Sequence, residues 1–304
     1  MSPDNIVFET RFPPDQGPQP EAVSPLTRRL VAPNDGPFTY TGTCAYIVGS
    51  GDVAIVDPGP ENDEHVEALL GAIAGERLAA ILVTHTHRDH SPAAAHLRAR
   101  TGAPIVGCAP HRPSDVRKID GPALDASHDA EYAPDRILED GETLQVGGAT
   151  LQAVATPGHT ANHLCYALKE EKTLFTGDHV MAWATTVVAP PDGSMRAYLE
   201  SIEKLLARDD RLYWPAHGGP VTDPGSFLRA LQIHRRSREA AILQRLAAGD
   251  ATIPAMVERI YASVDKRLHP AAAMVVLAHL ELLVERGEVA APEGLGLFKR
   301  YEKT

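Results

Sequence analysis

The chain has 304 residues, 43% of them hydrophobic, and a formal net charge of −11 at neutral pH. This length is enough for one large domain or for one large and one small domain, and the composition is that of a globular protein with a sizeable core. The acidic balance excludes a protein that coats nucleic acid with its whole surface, because such binding needs many Lys and Arg side chains against phosphates.

The cysteines and the N-terminal residues bear on the compartment of the protein. Cys44, Cys108 and Cys165 are widely spaced and odd in number, which indicates buried free thiols instead of a disulfide framework or a thiolate zinc site. The N-terminus has no basic start followed by an apolar run, and no segment offers the ~20 unbroken apolar residues of a membrane helix. We therefore expect a cytoplasmic protein that does not enter a membrane.

Short strands and helices alternate in the first part of the chain. Between Asn5 and Pro58, four apolar runs are separated by Pro and Gly, which predicts strands joined by turns. Residues 62–75 have helical spacing, and the apolar run LAAILVT that follows predicts a buried strand leading directly into HTHRDH. Further along, PAAAHLRARTG predicts a helix and PIVGC a strand.

A long loop, two hairpins and a helical region complete the chain. Residues 109–134 are rich in Pro, Asp and His without a clear period, which predicts a long loop of the kind that borders a functional site. Two hairpins are predicted next, in ETLQVGGATLQAVAT and CYALKEEKTLFTGD. Three helices and a short alternating tail follow. We predict a catalytic domain over residues 1–224 and a winged-helix-like domain over residues 225–304.

The segment HTHRDH lies where a predicted strand gives way to a predicted helix. Side chains alternate along an extended chain, so His85 and His87 point the same way and can bind one ion together. Asp89 and His90 lie beyond the bend and can turn toward a second ion. Imidazole and carboxylate are ligands that zinc accepts, so the segment predicts the beginning of a metal centre.

The same placement recurs at three later strand ends. TPGHT presents His159, FTGDH presents Asp178 and YWPAHGG presents His217, each just after a predicted strand. Strand-end loops held by a rigid sheet are a usual position for functional side chains. A single His on a loop is most often an ordinary polar residue, but four such groups in this order predict a metal centre.

These motifs, taken in order, resemble those of the metallo-β-lactamase superfamily, and VDPG at residues 56–59 resembles an early turn of that family. The resemblance implies an α/β (α+β) fold: an αββα sandwich followed by the small helical winged-helix-like domain. The C-terminal region, with HRRSREAAIL, resembles the beta-lactamase-like protein 2 group. The implied ligands of one ion are His85, His87 and His159, and those of the other are Asp89, His90 and His217, with Asp178 bridging both and Asp57 supporting the site.

The resemblance implies two Zn²⁺ ions, with Mn or Fe as possible substitutes, and a hydrolase that uses a metal-bridging hydroxide. Two adjacent dications lower the pKa of water enough to supply hydroxide near neutral pH. We predict Asp89 as the catalytic residue, because a carboxylate beside the nucleophile can orient it and accept its proton. We expect a small ester or thioester as the substrate, because the acidity of the chain and its extra domain argue against an antibiotic-destroying lactamase.

Two other functions remain open at this point. The first is an endoribonuclease for single-stranded RNA, indicated by the winged-helix region and its basic residues. Those residues are Arg235, Arg236, Arg238, Arg245, Lys266 and Arg267. The second is a mononuclear iron oxygenase on the same fold, which needs only two His and one carboxylate; the additional His90 and His217 argue against it. A homodimer is compatible with such a module, although no residue pattern demonstrates it.

Several polar or aromatic residues near the predicted centre carry two interpretations each. His163 and His179 are expected either to line the substrate cavity or to support a ligand from behind. Trp183 and the segment TTVVAPPDGSM are expected to form either a substrate-contacting wall or part of the core. His111 and His128, in the long loop, are expected to be solvated.

Overall fold

The computed structural model describes residues 19–112 and 128–304, together with Ile6 and Phe8. The strand predicted in NIVFETRF and the middle of the loop predicted at residues 109–134 therefore lie outside the described residues. The described part contains two large mixed β-sheets flanked by helices, followed by a helical region.

The first sheet has seven strands in the order of the chain. They are β1 (Glu21–Ala22), β2 (Thr27–Val31), β3 (Cys44–Ser50), β4 (Asp52–Val56), β5 (Arg77–Val83), β6 (Ile105–Gly107) and β7 (Arg136–Ile137). The pairs β1–β2, β2–β3 and β3–β4 are antiparallel, whereas the pairs β4–β5, β5–β6 and β6–β7 are parallel. Parallel neighbours need a crossover, and two predicted helices supply it, so the carboxyl ends of β4, β5 and β6 lie at one edge.

The second sheet has five strands in the order β12-β11-β10-β9-β8. Their bounds are β8 (Thr143–Val146), β9 (Ala149–Ala155), β10 (Leu164–Leu168), β11 (Thr173–Gly177) and β12 (Leu212–Pro215). Both predicted hairpins are confirmed. Gly147 and Gly148 join β8 to β9 with φ of +50° and +83°, the backbone that a two-residue hairpin turn of type I′ requires.

The helices are α1 (Asp63–Ala72), α2 (Ala93–Thr101), α3 (Met195–Leu206), α4 (Pro224–Ala247), α5 (Ile253–Ile260) and α6 (His269–Glu285). Five of them correspond to predicted helices, but α3 was missed. Its N-cap Ser194 accepts a hydrogen bond from the Ala197 amide, and Met195, Tyr198 and Ile202 form a buried stripe at helical spacing. This N-cap residue and the helical spacing of the apolar residues are visible in the sequence, directly after a Pro-rich loop.

The two sheets pack face to face around the main core. The ring centroids of Tyr46 on β3 and Phe175 on β11 lie 4.9 Å apart, and the Tyr166 hydroxyl donates to the Val83 carbonyl across the interface at 2.7 Å. On the outer face of the second sheet, alternate residues such as Cys165 pack against α3 and α4. This is the predicted αββα sandwich, and all three cysteines are buried free thiols as predicted.

Helix α4 connects the sandwich to the C-terminal region. Its first half, with Leu228 and Leu231, packs in the core behind the second sheet, whereas Ile242 and Leu246 pack with α5, α6 and the two-stranded ribbon. That ribbon consists of β13 (Val289–Ala290) and β14 (Glu302–Lys303). Because one helix contributes to both cores, the division into domains at residue 224 stays a prediction.

One described segment, Lys266–Glu285, is long and apolar enough to cross a membrane by length and composition, with a mean hydropathy of 1.4. Most of that segment, 61%, is buried inside the structure. Its side chains, such as Leu277 and Leu280, are fully covered by the other helices of the C-terminal region. The packing is that of a central core helix, which passes the same test of length and composition.

Candidate metal centre

The predicted ligands converge at the carboxyl ends of the central strands. Strand β5 leads into residues 84–90, β11 leads into Asp178 and β12 leads into His217, while His159 follows β9. The potential ligand atoms fall into two groups, and within each group they lie within 4.8 Å of one another. One group is His85, His87, His159 and Asp178, and the other is Asp89, His90 and His217.

Asp57, at the end of β4, organises both the strand end and one ligand. Its backbone has a φ of +49°, a conformation that non-glycine residues adopt rarely and mostly at special positions. The buried carboxylate accepts hydrogen bonds from the Thr84 amide at 2.8 Å, from the Thr84 hydroxyl at 2.7 Å and from His90 Nδ1 at 3.1 Å. Asp57 thus has the supporting position that the family resemblance implied, because its oxygens contact the potential ligand His90 and Thr84, the residue before the potential ligand His85.

Three ring nitrogens meet in the first group. His85 Nε2 and His159 Nε2 lie 3.0 and 3.1 Å from His87 Nδ1. The Thr84 hydroxyl, whose only proton goes to a carboxylate, accepts from His85 Nδ1 at 3.0 Å. The Val187 carbonyl accepts from His159 Nδ1 at 2.6 Å. His85 and His159 therefore turn unprotonated nitrogens toward a common point, the arrangement found in metal-ligating histidines.

The second group is oriented in the same way. His217 Nε2 and His90 Nε2 lie 3.2 and 3.4 Å from the same oxygen of Asp89. The opposite nitrogen of His90 donates to Asp57, and that of His217 donates to the Gly42 carbonyl at 3.3 Å. When the rings are neutral, the Nε2 atoms are thereby left as their acceptor nitrogens, and they point at a carboxylate that also accepts. Such a set of facing lone pairs fits a cation between them.

Asp178 lies between the two groups and faces both. One carboxylate oxygen is 3.6 Å from His159 Nε2, and the other is 3.3 Å from His217 Nε2 and 3.6 Å from His90 Nε2. The oxygen on the second side, together with the Nε2 atoms of His90 and His217, is buried without a hydrogen-bond partner. Buried polar atoms normally have a partner, so this chain's own donor set fits divalent metal ions.

The electrostatics differ between the two groups. Burial, followed by the neighbouring imidazoles, lowers the pKa of His85 and His87 well below the usual range, which keeps both rings in the neutral form that binds metal. In the second group burial opposes the charged forms, but the carboxylates Asp89 and Asp178 raise the pKa of His90 well above its usual range. A metal ion entering the second group therefore displaces protons, which couples its affinity to pH.

His163 supports the centre from behind, and neither His163 nor His179 lines the cavity. His163 Nε2 accepts from the Asp178 amide at 3.2 Å, and its Nδ1 donates to the Thr156 hydroxyl at 2.9 Å. His179 is fully buried 4.7 Å from the Tyr198 ring, and burial lowers its pKa to about 3. Of the two interpretations left open by the sequence, the supporting role fits His163, whereas the ring nitrogens of His179 have no hydrogen-bond partner within the described residues.

Gly177, directly before Asp178, offers a test of this packing. Its φ is +50°, and a Cβ there would lie 2.7 Å from His163 Nε2 and 2.8 Å from the Thr84 hydroxyl. We expect Gly177→Ala to lower the free energy of unfolding by about 1–3 kcal/mol more than Gly148→Ala and to reduce the metal content. Gly148 is the matched control because its φ is +83° but nothing lies within 4 Å of its Cβ position. Urea unfolding and metal analysis measure both effects, and equal losses in the two variants would contradict the close packing.

A third cluster, which the sequence analysis did not foresee, borders the centre. The rings of His111 and His128 stack 3.6 Å apart, and Asp192 lies 3.6 Å from the first and 3.4 Å from the second. His128 also contacts the Thr86 hydroxyl at 3.0 Å. The expectation that these two histidines are solvated was wrong, because His128 is 7% exposed and the His111 side chain 10%. No local pattern signals this cluster, since Asp192 comes from a distant loop.

The centre opens into a cavity of about 1010 Å³. His87, Asp89, His159 and Asp178 line its inner end. The opposite wall is largely apolar and comes from the C-terminal region, including Pro254, Val257, Ala273, Met274, Leu297 and Phe298. Val187, Ala189 and Pro191 line it as well, so the predicted TTVVAPPDGSM wall is present, whereas Trp183 stacks on Tyr40 outside the cavity.

Comparison with known proteins gives two domain matches. Residues 39–217 match the Metallo-beta-lactamase superfamily domain. Residues 252–295 match the Beta-lactamase associated winged helix domain. The first match covers the loops that carry all seven potential metal ligands, and the second covers the helices that supply the apolar wall of the cavity.

Similar individual proteins and structures are also found. The chain is 29% identical over 272 residues to the Atrochrysone carboxyl ACP thioesterase of Aspergillus chevalieri, covering 84% of this chain and 79% of that protein. It is 32% identical over 240 residues to Atrochrysone carboxyl ACP thioesterase AgnL7 of Paecilomyces divaricatus, covering 76% and 68%. The crystal structure of the metallo-beta-lactamase family protein TTHA1429 from Thermus thermophilus matches with a TM-score of 0.74 at 23% identity, covering 93% of this chain and all of that one.

Proposed function

Because the chain belongs to the metallo-β-lactamase superfamily and is a hydrolase, we propose that it hydrolyses thioesters of apolar carboxylic acids at a centre of two zinc ions. The observation that carries this proposal is the cavity, because potential metal ligands and largely apolar side chains of the C-terminal region line the same space. A hydrolytic site that is to accept an apolar acyl group needs both parts next to each other.

In this proposal each of the two groups of ligands would hold one ion, and Asp178 lies between the groups. His85, His87 and His159 would hold the first ion, and Asp89, His90 and His217 the second. When bound, the ions supply a water of lowered pKa and positive charge beside the reacting carbonyl. Zinc suits this set of imidazole and carboxylate donors, although Mn or Fe would also be accepted.

The residues of the chain supply position and proton transfer. The Asp89 side chain is 28% exposed and lines the cavity, whereas His90 and His217 are fully buried behind it. Asp89 is therefore the carboxylate that can reach both the attacking water and the substrate. It accepts the proton of the water as the bond to the carbonyl carbon forms, and the departing sulfur takes up a proton as the C–S bond breaks. Water and thioester thus become acid and thiol.

The C-terminal region shapes the acyl end of the cavity. Val257 on α5, Ala273 and Met274 on α6, and Leu297 after β13 all face the space in front of the metal centre. Burial of each CH₂ group of an acyl chain against such a wall contributes about 0.8 kcal/mol to binding. The wall therefore favours substrates with long or aromatic acyl groups over acetyl thioesters. Two of the similar proteins are named as acyl carrier protein thioesterases, which agrees with a thioester.

A panel assay tests the proposed function. The zinc-loaded protein is offered thioesters of graded acyl length, lactones, nitrocefin and labelled single-stranded RNA. We expect hydrolysis of the thioesters, with kcat/KM rising with acyl length, and two zinc ions per chain by metal analysis. His87→Ala, which removes a ligand of the first group, should abolish turnover. Cleavage of RNA alone would refute the proposal, and a single iron per chain would favour the oxygenase.

The acyl wall is tested separately in the same assay. Ala273→Phe places a ring in the cavity, so we expect the preference for long acyl groups to fall while hydrolysis of short ones continues. Ala240→Phe is the matched control, because Ala240 is an exposed residue of α4 outside the cavity. An unchanged profile of acyl length in Ala273→Phe would show that the acyl group binds elsewhere.

Most of the basic residues that indicated an RNA-binding surface make other contacts in the structure. Four of the six basic residues named for it are engaged elsewhere: Arg235 is buried and donates to the Thr186 carbonyl, Arg238 lies over the Tyr261 ring, Arg245 pairs with Asp250, and Arg267 pairs with Asp265. A nucleic-acid surface needs a continuous set of available cations. Of the six, only Arg236 and Lys266 have no such contact within the described residues, and two cations do not make such a surface.

A further inference from the structure

Two cationic side chains of the cavity have no partner within the described residues. Arg88 and Lys266 line the cavity and are exposed, and neither forms an ion pair or a side-chain hydrogen bond with a residue that the structure describes. Other exposed basic residues nearby are paired: Arg267, next to Lys266 in sequence, forms an ion pair with Asp265 at 2.6 Å. Arg88 and Lys266 therefore present positive charge to the cavity of a chain whose net charge is −11.

The two cations belong to the two parts of the chain that form the cavity. Arg88 lies between His87 and Asp89, both of which line the metal end. Lys266 lies in the short 3-10 turn Lys266–Leu268 directly before α6. An anionic group bound in the cavity would meet positive charge from both the sandwich and the C-terminal region. Arg is suited to phosphate because its planar guanidinium offers several donors, and Lys adds a second positive charge.

The rim of the cavity adds an apolar contribution. Phe298 is 75% exposed and Phe38 is 54% exposed, and both line the cavity. Large exposed aromatic side chains beside a pocket are a mark of a binding site. The lining of one cavity thus combines apolar side chains, potential metal ligands, and two unpaired cations together with exposed aromatic side chains. The matching ligand has an apolar acyl group, a reactive carbonyl and an anionic group on the remaining side.

We propose that Arg88 and Lys266 bind a phosphate on the thiol side of the substrate. The substrate is then an acyl thioester of a phosphate-bearing thiol such as the 4′-phosphopantetheine arm, either free as in a coenzyme or attached to a carrier protein. This inference rests on the proposed thioester hydrolysis and adds the chemical class of the leaving thiol. The acyl group occupies the apolar wall, so the charge that the cations meet is on the other side of the carbonyl.

A matched pair of substrates tests the phosphate alone. The same acyl group is offered as its pantetheine thioester and as its 4′-phosphopantetheine thioester, which differ only in the phosphate. We expect the zinc-loaded protein to have a kcat/KM about 10-fold or more higher for the second, since a hydrogen bond to a charged group contributes on that order. The double variant Arg88→Gln/Lys266→Gln should bring the ratio close to one, and Arg267→Gln should leave it unchanged.

The ratio separates phosphate binding from damage to the metal centre. A loss of metal in a variant lowers both activities equally, so the ratio isolates the contact with the phosphate. An equal kcat/KM for the two thioesters in the unmodified protein, or a ratio that the double variant does not change, would overturn this proposal while thioester hydrolysis stands. If neither thioester is hydrolysed, the proposed function fails and this inference with it. A third substrate, the same acyl group on an acyl carrier protein, distinguishes a protein-bound arm from a free one, and with either substrate the phosphate contact predicts slower turnover in the double variant.

Discussion

Changing Asp89 to Asn is expected to lower kcat by about 10²–10⁴-fold, the usual contribution of a positioned general base. The Asp89 carboxylate is the member of the two ligand groups that combines exposure to the cavity with contacts to His90 and His217. An amide has nearly the same shape but cannot take up a proton, and it binds a divalent cation more weakly than a carboxylate does. Steady-state hydrolysis of an acyl thioester measures the effect.

The interpretation of that variant depends on its metal content. His90 stays tied to Asp57, and His217 stays tied to the Gly42 carbonyl, so we expect Asp89→Asn to fold and to keep the ion of the first group. The second ion should be bound more weakly, and activity should not return at saturating zinc if proton transfer is lost. Asp63→Asn is the matched control, because that side chain is 97% exposed. Full activity of Asp89→Asn would remove Asp89 from the reaction.

The candidate ligands could be predicted from the sequence because the motifs that carry them are local. The buried strand that leads into HTHRDH fixes the positions of the four potential ligands in that segment. Each later motif follows a strand that is recognisable by its apolar run. The strands belong to two sheets, with β5 in the first and β9, β11 and β12 in the second, so the packing of the two sheets is what brings these strand ends together. The motifs, with the family that they resemble, were enough to name the ligands. The ion that each residue binds stays a prediction.

The wall opposite the metal centre was not foreseeable in the same way. It depends on how α5 and α6 pack against the sandwich through α4, and no short pattern encodes a contact between residues so far apart in sequence. The cluster of His111, His128 and Asp192 escaped for the same reason. Loop residues acquire partners only when the tertiary structure brings them, so composition alone suggested solvated histidines.

Arg235 was counted as part of an exposed basic surface, although the helical spacing in the sequence places it on the apolar face of its helix. The run HRRSRE reads as a basic surface when charges are counted, yet Arg235 follows Leu228 and Leu231 at helical spacing and therefore lies on the apolar face of α4. In the structure its side chain is 1% exposed, lies over the Tyr198 ring and donates to the Thr186 carbonyl at 2.6 Å. It holds the loop after Asp178 against the helices, so counting it as a nucleic-acid contact was an error of periodicity.

Asp57→Ala is the substitution from which we expect the largest loss of stability. It leaves three buried donors without an acceptor, namely the Thr84 amide, the Thr84 hydroxyl and His90 Nδ1. Removing one partner from a buried charged network costs about 3–5 kcal/mol. We expect a loss of that size in the free energy of unfolding from urea denaturation, together with reduced metal content, because His90 is then free to turn away from the second group.

A second substitution and a control distinguish the hydrogen bonds from the general cost of changing strand β4. Asp57→Asn keeps the volume and one acceptor oxygen for Thr84, so it should restore part of the stability, but its amide group cannot accept from His90 Nδ1 at the same time. Metal content should therefore stay low in Asp57→Asn while stability partly recovers.

Asp52→Ala, at the other end of the same strand, removes an exposed pair with Arg77 and should stay close to the unmodified protein in both measurements. If Asp57→Ala were as stable as Asp52→Ala, the carboxylate would not be holding the strand end. If Asp57→Asn kept both ions, the orientation of His90 would not depend on this contact.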